Sequence, residues 1–462
     1  MIVAVFKNEY LRLTRQISYW LLLVVFAALA GYATLSGWQS VESHNTGIQS
    51  IVNATKEVSQ NRLSELVQAE NGGQQASRGA RLPYAQVEHM HLPFLDSAAV
   101  SVSKIEAYPL IARVTPITDT HAIFDEFAGS TSNPTVLAAG KFDLTFVIVL
   151  VFPLFIIALS YDLWTGERER GIAKQLMAEP VSFRMLIYVK SLAHFSLIVC
   201  PMSLIAGLCT LLMSSFCPML WVLAICLLYG AFWLGLLIFI NAITKRPTES
   251  AIASGVAWLS MVVLIPAILS VIVDFQTPKP SRAELANLTR ASLLEAQNRG
   301  QSVLDAYLSQ HPNATDELKV LSGGARQAFA VQLEADRLTS PIVEDFFTKE
   351  EARHKLSAIL AYLSPSLIVQ VSLDHLSGFS YERAVAFRQQ TYKYLDDVRA
   401  YVTPFINEDK EFSAGDFIAA PRFEFVDVFK PAELKSQSIA LLLYIFLFLG
   451  FFFLRSRRAK VD

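Results

Sequence analysis

Long apolar stretches alternate with polar segments along the 462-residue chain. A helix needs about 20 apolar residues to cross the hydrocarbon core of a bilayer. Six stretches approach this length, so the pattern predicts six membrane-spanning helices. The first covers 17–38, the second to the fifth lie within 143–273, and the sixth covers 436–454. In the central group we expect spans at about 144–161, at 251–273, and two across 191–242 joined by a hairpin near Ser214–Pro218.

Three of the predicted spans contain a proline: Pro153, Pro201 and Pro266. Proline has no backbone N–H, so it removes one hydrogen bond from the helix that contains it. Because hydrocarbon offers no replacement partner, we expect groups on neighbouring helices or buried waters to satisfy the freed carbonyls.

The composition agrees with a membrane protein. Hydrophobic residues make up 53% of the chain and charged residues only 17%, against about 25% charged in soluble domains. The net charge of -2 gives no indication of a nucleic-acid partner. The four cysteines lack disulfide or zinc spacing, and we interpret them as small core residues. They are Cys200, Cys209, Cys217 and Cys226, all within apolar stretches.

The basic residues are concentrated at one set of span ends. Clusters precede the first span, separate the second from the third and the fourth from the fifth, and follow the sixth, where they form a tail at 455–462. Lysine and arginine in short flanks mark the cytoplasmic side. Six crossings with this pattern predict that both termini are cytoplasmic.

Two long polar segments, 39–142 and 274–435, are then extracytoplasmic. The first begins with a helical pattern at 51–69 and becomes strand-prone at 100–124, which predicts a mixed α/β module. The second is predicted to be largely helical, with capping-box starts at Ser281–Glu284 and Thr348–Glu351. The predicted fold is therefore mainly α: a six-helix transmembrane bundle with two extracytoplasmic modules.

The stretch from Tyr161 to Arg184 follows the second span and is rich in charge. It predicts a short helix at about 166–179 that ends before Pro180. Glu167 and Glu169 lie near its start, where the helix dipole favours anions. A helix across the cytoplasmic face of a bundle is well placed to receive force from a partner, although a solvated loop is an equally good interpretation of the pattern alone.

These residues carry a resemblance to a known family. Glu167-x-Glu169-x-Gly171, followed by Pro180-Val-Ser and the basic Arg184, resembles the segment after the second span in ABC-2 type permeases. The basic N-terminal stretch at 1–16 is similar to the interfacial elbow helix of that family. The six-span plan resembles a subgroup with large inserts after spans one and five, in which Leu363-Ser-Pro-Ser-Leu367 resembles a recurring segment of the late insert.

The resemblance implies a permease subunit of an ATP-binding-cassette exporter in a bacterial inner membrane, with the modules in the periplasm. It implies that Glu167, Glu169 and Gly171 belong to a coupling helix that docks on the ATPase. The implied partners are two ATPase copies, a second permease, identical or homologous, the lipid bilayer and a periplasmic or outer-membrane component. The chain itself is expected to be no enzyme and to bind no cofactor; ATP and Mg belong to the ATPase.

Polar residues inside predicted spans are candidates for function by default. His194, near the start of the third span, is a candidate pathway-lining residue, although groups near a span end also reach back to the interface. Asn241 flanks the turn between the fourth and fifth spans and is a second candidate.

Two motifs carry less weight. Leu321-Ser-Gly-Gly-Ala-Arg-Gln327 is similar to the signature of ABC ATPases, but the chain has no phosphate-binding G-x-x-x-x-G-K-[ST] loop, so we interpret Gly323-Gly324 as a helix break. His89 and His91 supply two ligands at most, and we predict a polar surface and no metal site.

A different class of function is also consistent with the sequence. In that alternative, the chain is a non-transporting membrane anchor or signal relay whose outer modules bind an envelope partner. A dependence on an ATPase distinguishes the two.

Overall fold

The computed structural model describes residues 2–72, 88–105, 110–115, 142–173, 183–314, 323–429 and 431–458. Within these ranges the chain is mainly helical, with one two-stranded sheet. Six of the described helices are long and apolar enough to cross a membrane. We number them spans 1 to 6: Ile17–Glu70, Leu144–Glu169, Phe183–Met213, Phe216–Ile243, Pro247–Gln276 and Leu434–Phe452. The predicted hairpin is confirmed, since only Ser214 and Ser215 separate spans 3 and 4.

Span 1 is longer than predicted. The membrane span predicted at 17–38 and the helical pattern predicted at 51–69 are parts of a single helix of 54 residues that runs from Ile17 to Glu70. At 1.5 Å per residue this helix is about 80 Å long, more than twice the thickness of the hydrocarbon core. No proline interrupts it, so the backbone hydrogen bonds continue from the apolar half into the polar half.

The core of the bundle is built from large side chains on spans 1, 2 and 4. Phe26, Phe152, Phe232 and Trp233 are at most 1% exposed, and their rings contact one another or the ring of Tyr229. Spans 5 and 6 are much less buried. The least covered apolar surface therefore belongs to these two spans.

Each intramembrane proline follows a π-helical turn. These turns span Val147–Val151 before Pro153, Phe195–Val199 before Pro201, and Leu259–Leu264 before Pro266. A π turn widens the helix by one residue, a common response to a break in the regular hydrogen-bond ladder. The prolines therefore reshape three of the six spans near their middles.

The carbonyls freed in these turns are satisfied by side chains from other elements, as predicted. Each proline turn thereby joins its span to a second part of the chain. The hydrogen bonds run from Tyr229 Oη to the Val149 carbonyl (3.1 Å), from Tyr19 Oη to the Leu197 carbonyl (2.9 Å), and from Ser364 Oγ and Ser366 Oγ to the Met261 carbonyl (3.2 and 2.8 Å).

Within the described residues, the polar segments carry a small sheet and six α-helices. Strands β1 (Glu88–His91) and β2 (Ile111–Val114) pair antiparallel, with Glu88 opposite Val114. The helices are α1 (Arg282–Asn298), α2 (Gly300–Gln310), α3 (Gly323–Ala361), α4 (Pro365–Leu376), α5 (Tyr381–Asn407) and α6 (Ala414–Ala419). One core, which includes Met90, Val114, Phe329, Phe387 and Leu395, joins both strands to α2, α3 and α5. We call this assembly the module.

The two predicted capping boxes have different outcomes. Ser281 caps α1, since its hydroxyl accepts a hydrogen bond from the Glu284 N–H at 3.2 Å. Thr348–Glu351 is not a helix start, because it lies inside α3. A Thr-x-x-Glu pattern also fits an exposed helical surface, and the preceding residues already form helix here.

Helix α4 and the far end of span 1 both anchor the module to the bundle. Helix α4 packs its buried face, Ile368, Val369 and Leu373, into the core formed by the spans. The far end of span 1 packs against α6, where Leu66 joins the cluster of Phe412 and Phe417. The bundle end that faces the module is called the module end below, and the opposite end, which carries the basic clusters, is called the basic end.

Asp143 fixes the module end of span 2. Its carboxylate accepts hydrogen bonds from the backbone N–H groups of Phe146, Val102 and Ser103, at 2.8, 2.9 and 3.1 Å. Burial raises the pKa of Asp143 to about 6, because desolvation and the nearby charge of Asp374 outweigh these hydrogen bonds. The native state therefore takes up a proton at a pH where the unfolded chain has already lost it.

The Tyr229 contact can be tested by replacing this residue with phenylalanine. The Tyr229→Phe variant keeps the ring but leaves the Val149 carbonyl without a donor, and we expect a loss of about 1–3 kcal/mol in stability. Thermal unfolding in detergent measures the loss. Tyr188→Phe is the matched control because Tyr188 is 63% exposed. Equal stability of the two variants would contradict the proposed role of the hydroxyl.

The Asp143 carboxyl predicts a pH dependence. Its raised pKa favours the native state most at low pH, and this contribution is lost as the pH rises from about 4 through about 6. The slope for one proton is at most about 1.4 kcal/mol per pH unit. We expect Asp143→Asn to remove that part of the slope in unfolding measured between pH 4.5 and 7.5. An unchanged slope would exclude Asp143 as its source.

Candidate functional site: a buried polar network at the basic end

Span 2 ends at the basic end in a short helix, Thr165–Glu169. We call it the juxtamembrane helix. Gly171 lies two residues beyond it with φ +75°, a conformation that favours glycine and turns the chain away from the helix axis. Within the predicted coupling helix at 166–179, the described residues thus form a helix only up to this turn and resume at Ile172. Residues 174–182 lie outside the described ranges.

Asn241 of span 4 holds the start of the juxtamembrane helix. Its side-chain oxygen accepts hydrogen bonds from the Trp164 N–H at 3.2 Å and from the Thr165 hydroxyl at 3.2 Å. Its amide group donates to the Leu237 carbonyl within its own span at 3.0 Å. Asn241 is 1% exposed. Asn241 therefore caps the juxtamembrane helix from a different element. It fixes the position of this helix along the axis of span 4.

Lys190 of span 3 connects the juxtamembrane helix to the N-terminal helix, Ile2–Thr14. Its ammonium donates to Glu9 Oε1 at 2.6 Å and also to Glu167 Oε1. All three side chains are buried, with 1% exposure for Lys190, 3% for Glu9 and 9% for Glu167. A second cation, Arg12, lies 3.1 Å from Glu9 Oε2. The two carboxylates are thus balanced by two cations.

His194 extends the network towards span 2. Its Nδ1 is 2.8 Å from the Ser160 hydroxyl, and its Nε2 is 3.9 Å from Glu9 Oε2. The ring is fully buried. His194 lies one helical turn above Lys190, so both side chains project from the same face of span 3. The predicted pathway-lining residue is therefore packed between helices.

The electrostatics of Glu9 follow from these contacts. Burial alone raises the pKa of a carboxyl, but the facing His194 ring and the charges of Lys190 and Arg12 outweigh it and hold the pKa of Glu9 at about 2. Glu9 is therefore ionised throughout the physiological range. Because a buried charge without its partner is strongly destabilising, the network favours one arrangement of the helices that supply it.

Two further contacts hold the juxtamembrane segment to the turn between spans 4 and 5. Arg168 donates to the Thr244 carbonyl at 2.9 Å, and the Ser250 hydroxyl donates to the Tyr161 carbonyl at 2.6 Å. With Lys190 and Asn241, these contacts join the segment to the N-terminal helix and to spans 3, 4 and 5. If the juxtamembrane helix is displaced, the elements that it contacts at the basic end must either resist the displacement or move with it.

The sequence-predicted site residues have different environments. Glu167, His194 and Asn241 converge on the buried network. Glu169 and Gly171 are exposed, together with the neighbouring residues Arg168, Arg170 and Ile172. Their predicted contact with an ATPase stays a prediction; Glu167 points inwards to Lys190. Sequence reasoning missed Glu9, whose signal is a single acidic residue between Lys7 and Arg12 on an otherwise basic helix.

The two weaker motifs have structural partners. His89 Nδ1 is 2.6 Å from the Thr55 hydroxyl, and no group of three metal-ligating side chains occurs among the described residues. Arg326, in the signature-like motif, is buried and donates to the carbonyls of Ile406 and Asn407, both at 3.1 Å. It joins the start of α3 to the end of α5.

Two regions of the chain match known protein families. Residues 143–274 match the family described as CcmB protein, and residues 282–426 match a domain of unknown function, DUF3526. The first match covers spans 2 to 5 and therefore Glu167, Lys190, His194 and Asn241; the second covers most of the module. No curated protein matches the chain.

The CcmB match and the apolar helices define the class of protein. It is a multi-pass membrane protein similar to the membrane permeases of ABC-type exporters, which work with ABC ATPase partners. The match covers 143–274 of 462 residues. The similarity therefore concerns the part of the chain that forms spans 2 to 5.

The network predicts a specific pattern of stability. Lys190→Met leaves Glu9 and Glu167 buried without their shared cation, and we expect a loss of about 3–5 kcal/mol. The triple variant Glu9→Gln, Glu167→Gln, Lys190→Met removes the charges of these three residues and leaves only Arg12, whose side chain is 22% exposed, so it is expected to recover much of that loss. Thermal unfolding in detergent compares the two. A triple variant as unstable as Lys190→Met would contradict a charge-balanced network.

Proposed function

We propose that the chain is the permease subunit of an ATP-binding-cassette exporter and couples ATP hydrolysis by a separate ATPase to export, or to force on an extracytoplasmic partner. The single observation that carries this proposal is the buried network around Lys190. It fastens the juxtamembrane helix to the N-terminal helix and to spans 3 and 4, so that a push on the helix moves them together.

The contact with the ATPase is assigned to the exposed side of this segment. Glu169 and Ile172 face outwards at the basic end, while Glu167 on the same short helix faces Lys190. One side of the segment is thus free to meet a partner and the other is held by the bundle. Two ATPase subunits, which hold ATP and Mg, and a second permease, identical or homologous, complete the proposed transporter.

The proposed orientation follows from charge. The basic end faces the cytoplasm, and the module end faces the periplasm of a bacterial inner membrane. The proposed function therefore requires movement at the basic end to reach the module. The contact of Ser364 and Ser366 with the Met261 carbonyl and the unbroken helix of span 1 are two rigid routes for that movement.

A pull-down of the tagged chain from its native membrane in mild detergent tests the proposal. We expect a nucleotide-binding subunit and ATPase activity in the eluate. Glu169→Arg reverses an exposed charge at the proposed contact, and we expect it to lower ATPase recovery about tenfold, equivalent to about 1.4 kcal/mol, without changing the unfolding temperature.

Glu57→Arg is the matched control, because Glu57 is also an exposed acid but lies on the polar half of span 1. It is expected to recover as much ATPase as the unmodified chain. Full recovery with Glu169→Arg would exclude the proposed docking face. Recovery of the chain with envelope proteins and no ATPase would favour the anchor or relay.

A further inference from the structure

A cleft of about 390 Å³ lies at the module end, between span 5 and helices α3 and α4. Span 5 contributes Pro266, Leu269, Ser270 and Val273 to one wall. Leu360 of α3 and Leu367 of α4 form the opposite wall. A second cavity of about 260 Å³ adjoins it and shares Lys104, His354 and Tyr381. The network at the basic end does not include this site.

The lining changes from apolar to basic along the span axis. From Pro266 to Val273 the helix rises about 10 Å, and the side chains along this path are apolar apart from Ser270. Beyond the end of span 5 at Gln276, the lining residues are Lys279 and Arg282, and Arg353 approaches from α3. A lipid in a bilayer leaflet has the same order, with its acyl chains in the apolar interior and its charged headgroup at the membrane surface.

The charge of the lining favours an anion. Four basic residues line the cleft, Lys104, Lys279, Arg282 and Arg353, against one acidic residue, Glu350. Glu350 is 3.7 Å from Arg388, while Lys104 and Arg353 are paired with Asp374 and Asp274. Within the described chain Lys279 is exposed and makes no ion pair. Positive charge therefore remains at the outer end of the cleft.

The cleft adjoins a surface suited to lipid. Ile268, Val271 and Phe275 on span 5 are 56%, 66% and 87% exposed, and Ile359 and Leu363 beside the α3–α4 turn are 68% and 57% exposed. Apolar surface of this extent, next to membrane-spanning helices, is normally covered by lipid chains. A molecule that enters the cleft from this side comes from the leaflet.

We propose that this cleft binds one anionic lipid from the leaflet at the module end. The acyl chain lies along Pro266, Leu269 and Val273, and the phosphate or carboxylate headgroup lies at Lys279 and Arg282. The binding goes beyond the proposed function, since it requires neither an ATPase nor a second permease. The lipid bridges span 5 and helix α3.

Native mass spectrometry of the full chain tests the site. The purified protein is exchanged into detergent with equal amounts of a phosphatidylglycerol and a phosphatidylcholine of the same chain length. We expect selective retention of one phosphatidylglycerol. The double variant Lys279→Gln, Arg282→Gln is expected to weaken its binding about tenfold or more, since two cations are lost. Ser270→Trp fills the apolar wall and is expected to abolish retention.

Lys393→Gln is the control, because Lys393 is exposed on α5 and does not line the cleft. Its retention of phosphatidylglycerol is expected to be unchanged. Equal retention of both lipids, or selective retention that survives both cleft variants, would overturn the proposal. Displacement of the lipid by millimolar inorganic phosphate would overturn the lipid as the occupant and leave a site for a free anion. Unfolding temperatures of the variants confirm that each is folded.

Discussion

A membrane-spanning backbone cannot leave a carbonyl or N–H group unpaired, and much of this structure follows from that constraint. Three spans contain prolines that free carbonyls near mid-span. The carbonyls are paired by Tyr229, Tyr19 and the Ser364–Ser366 pair, each from a different element. Each pairing fixes the distance and rotation of two elements at one point. The prolines thus set the packing of spans 2 with 4, 1 with 3, and 5 with helix α4.

A related constraint applies at the basic end, where buried charges need partners just as buried backbone groups do. Glu9, Glu167 and Lys190 are buried, and each is costly without its partners. Because the three come from three elements, the charges are satisfied only when those elements are in register. Replacement by apolar residues would also fill the space, but it would not require these particular side chains to face one another. A buried ion network therefore holds the short helix in register with the N-terminal helix and span 3.

Much of the fold could be predicted from the sequence because its signals are local. Apolar length indicated the six spans, the prolines indicated where carbonyls need partners, and Ser281 marked the start of α1. The continuation of span 1 to Glu70 was missed because hydropathy marks the membrane boundary and not the end of a helix. The site was harder: Glu167, His194 and Asn241 were singled out, yet their convergence depends on Glu9 and Lys190, which are 181 positions apart. Pairing at that separation is fixed by packing and leaves no local pattern.

The two constraints together form a series of contacts that runs from the basic end to the module. The network joins the juxtamembrane helix to spans 3 and 4; Tyr19 then joins span 3 to span 1, and Tyr229 joins span 4 to span 2. Span 1 continues without a break to Leu66, which packs against Phe412 and Phe417 in the module. Each step up to the end of span 1 is a hydrogen bond, an ion pair or a continuous helix, and the last step is the apolar packing of Leu66 against Phe412 and Phe417. The module is therefore linked to the basic end through the same contacts that satisfy the backbone and the buried charges.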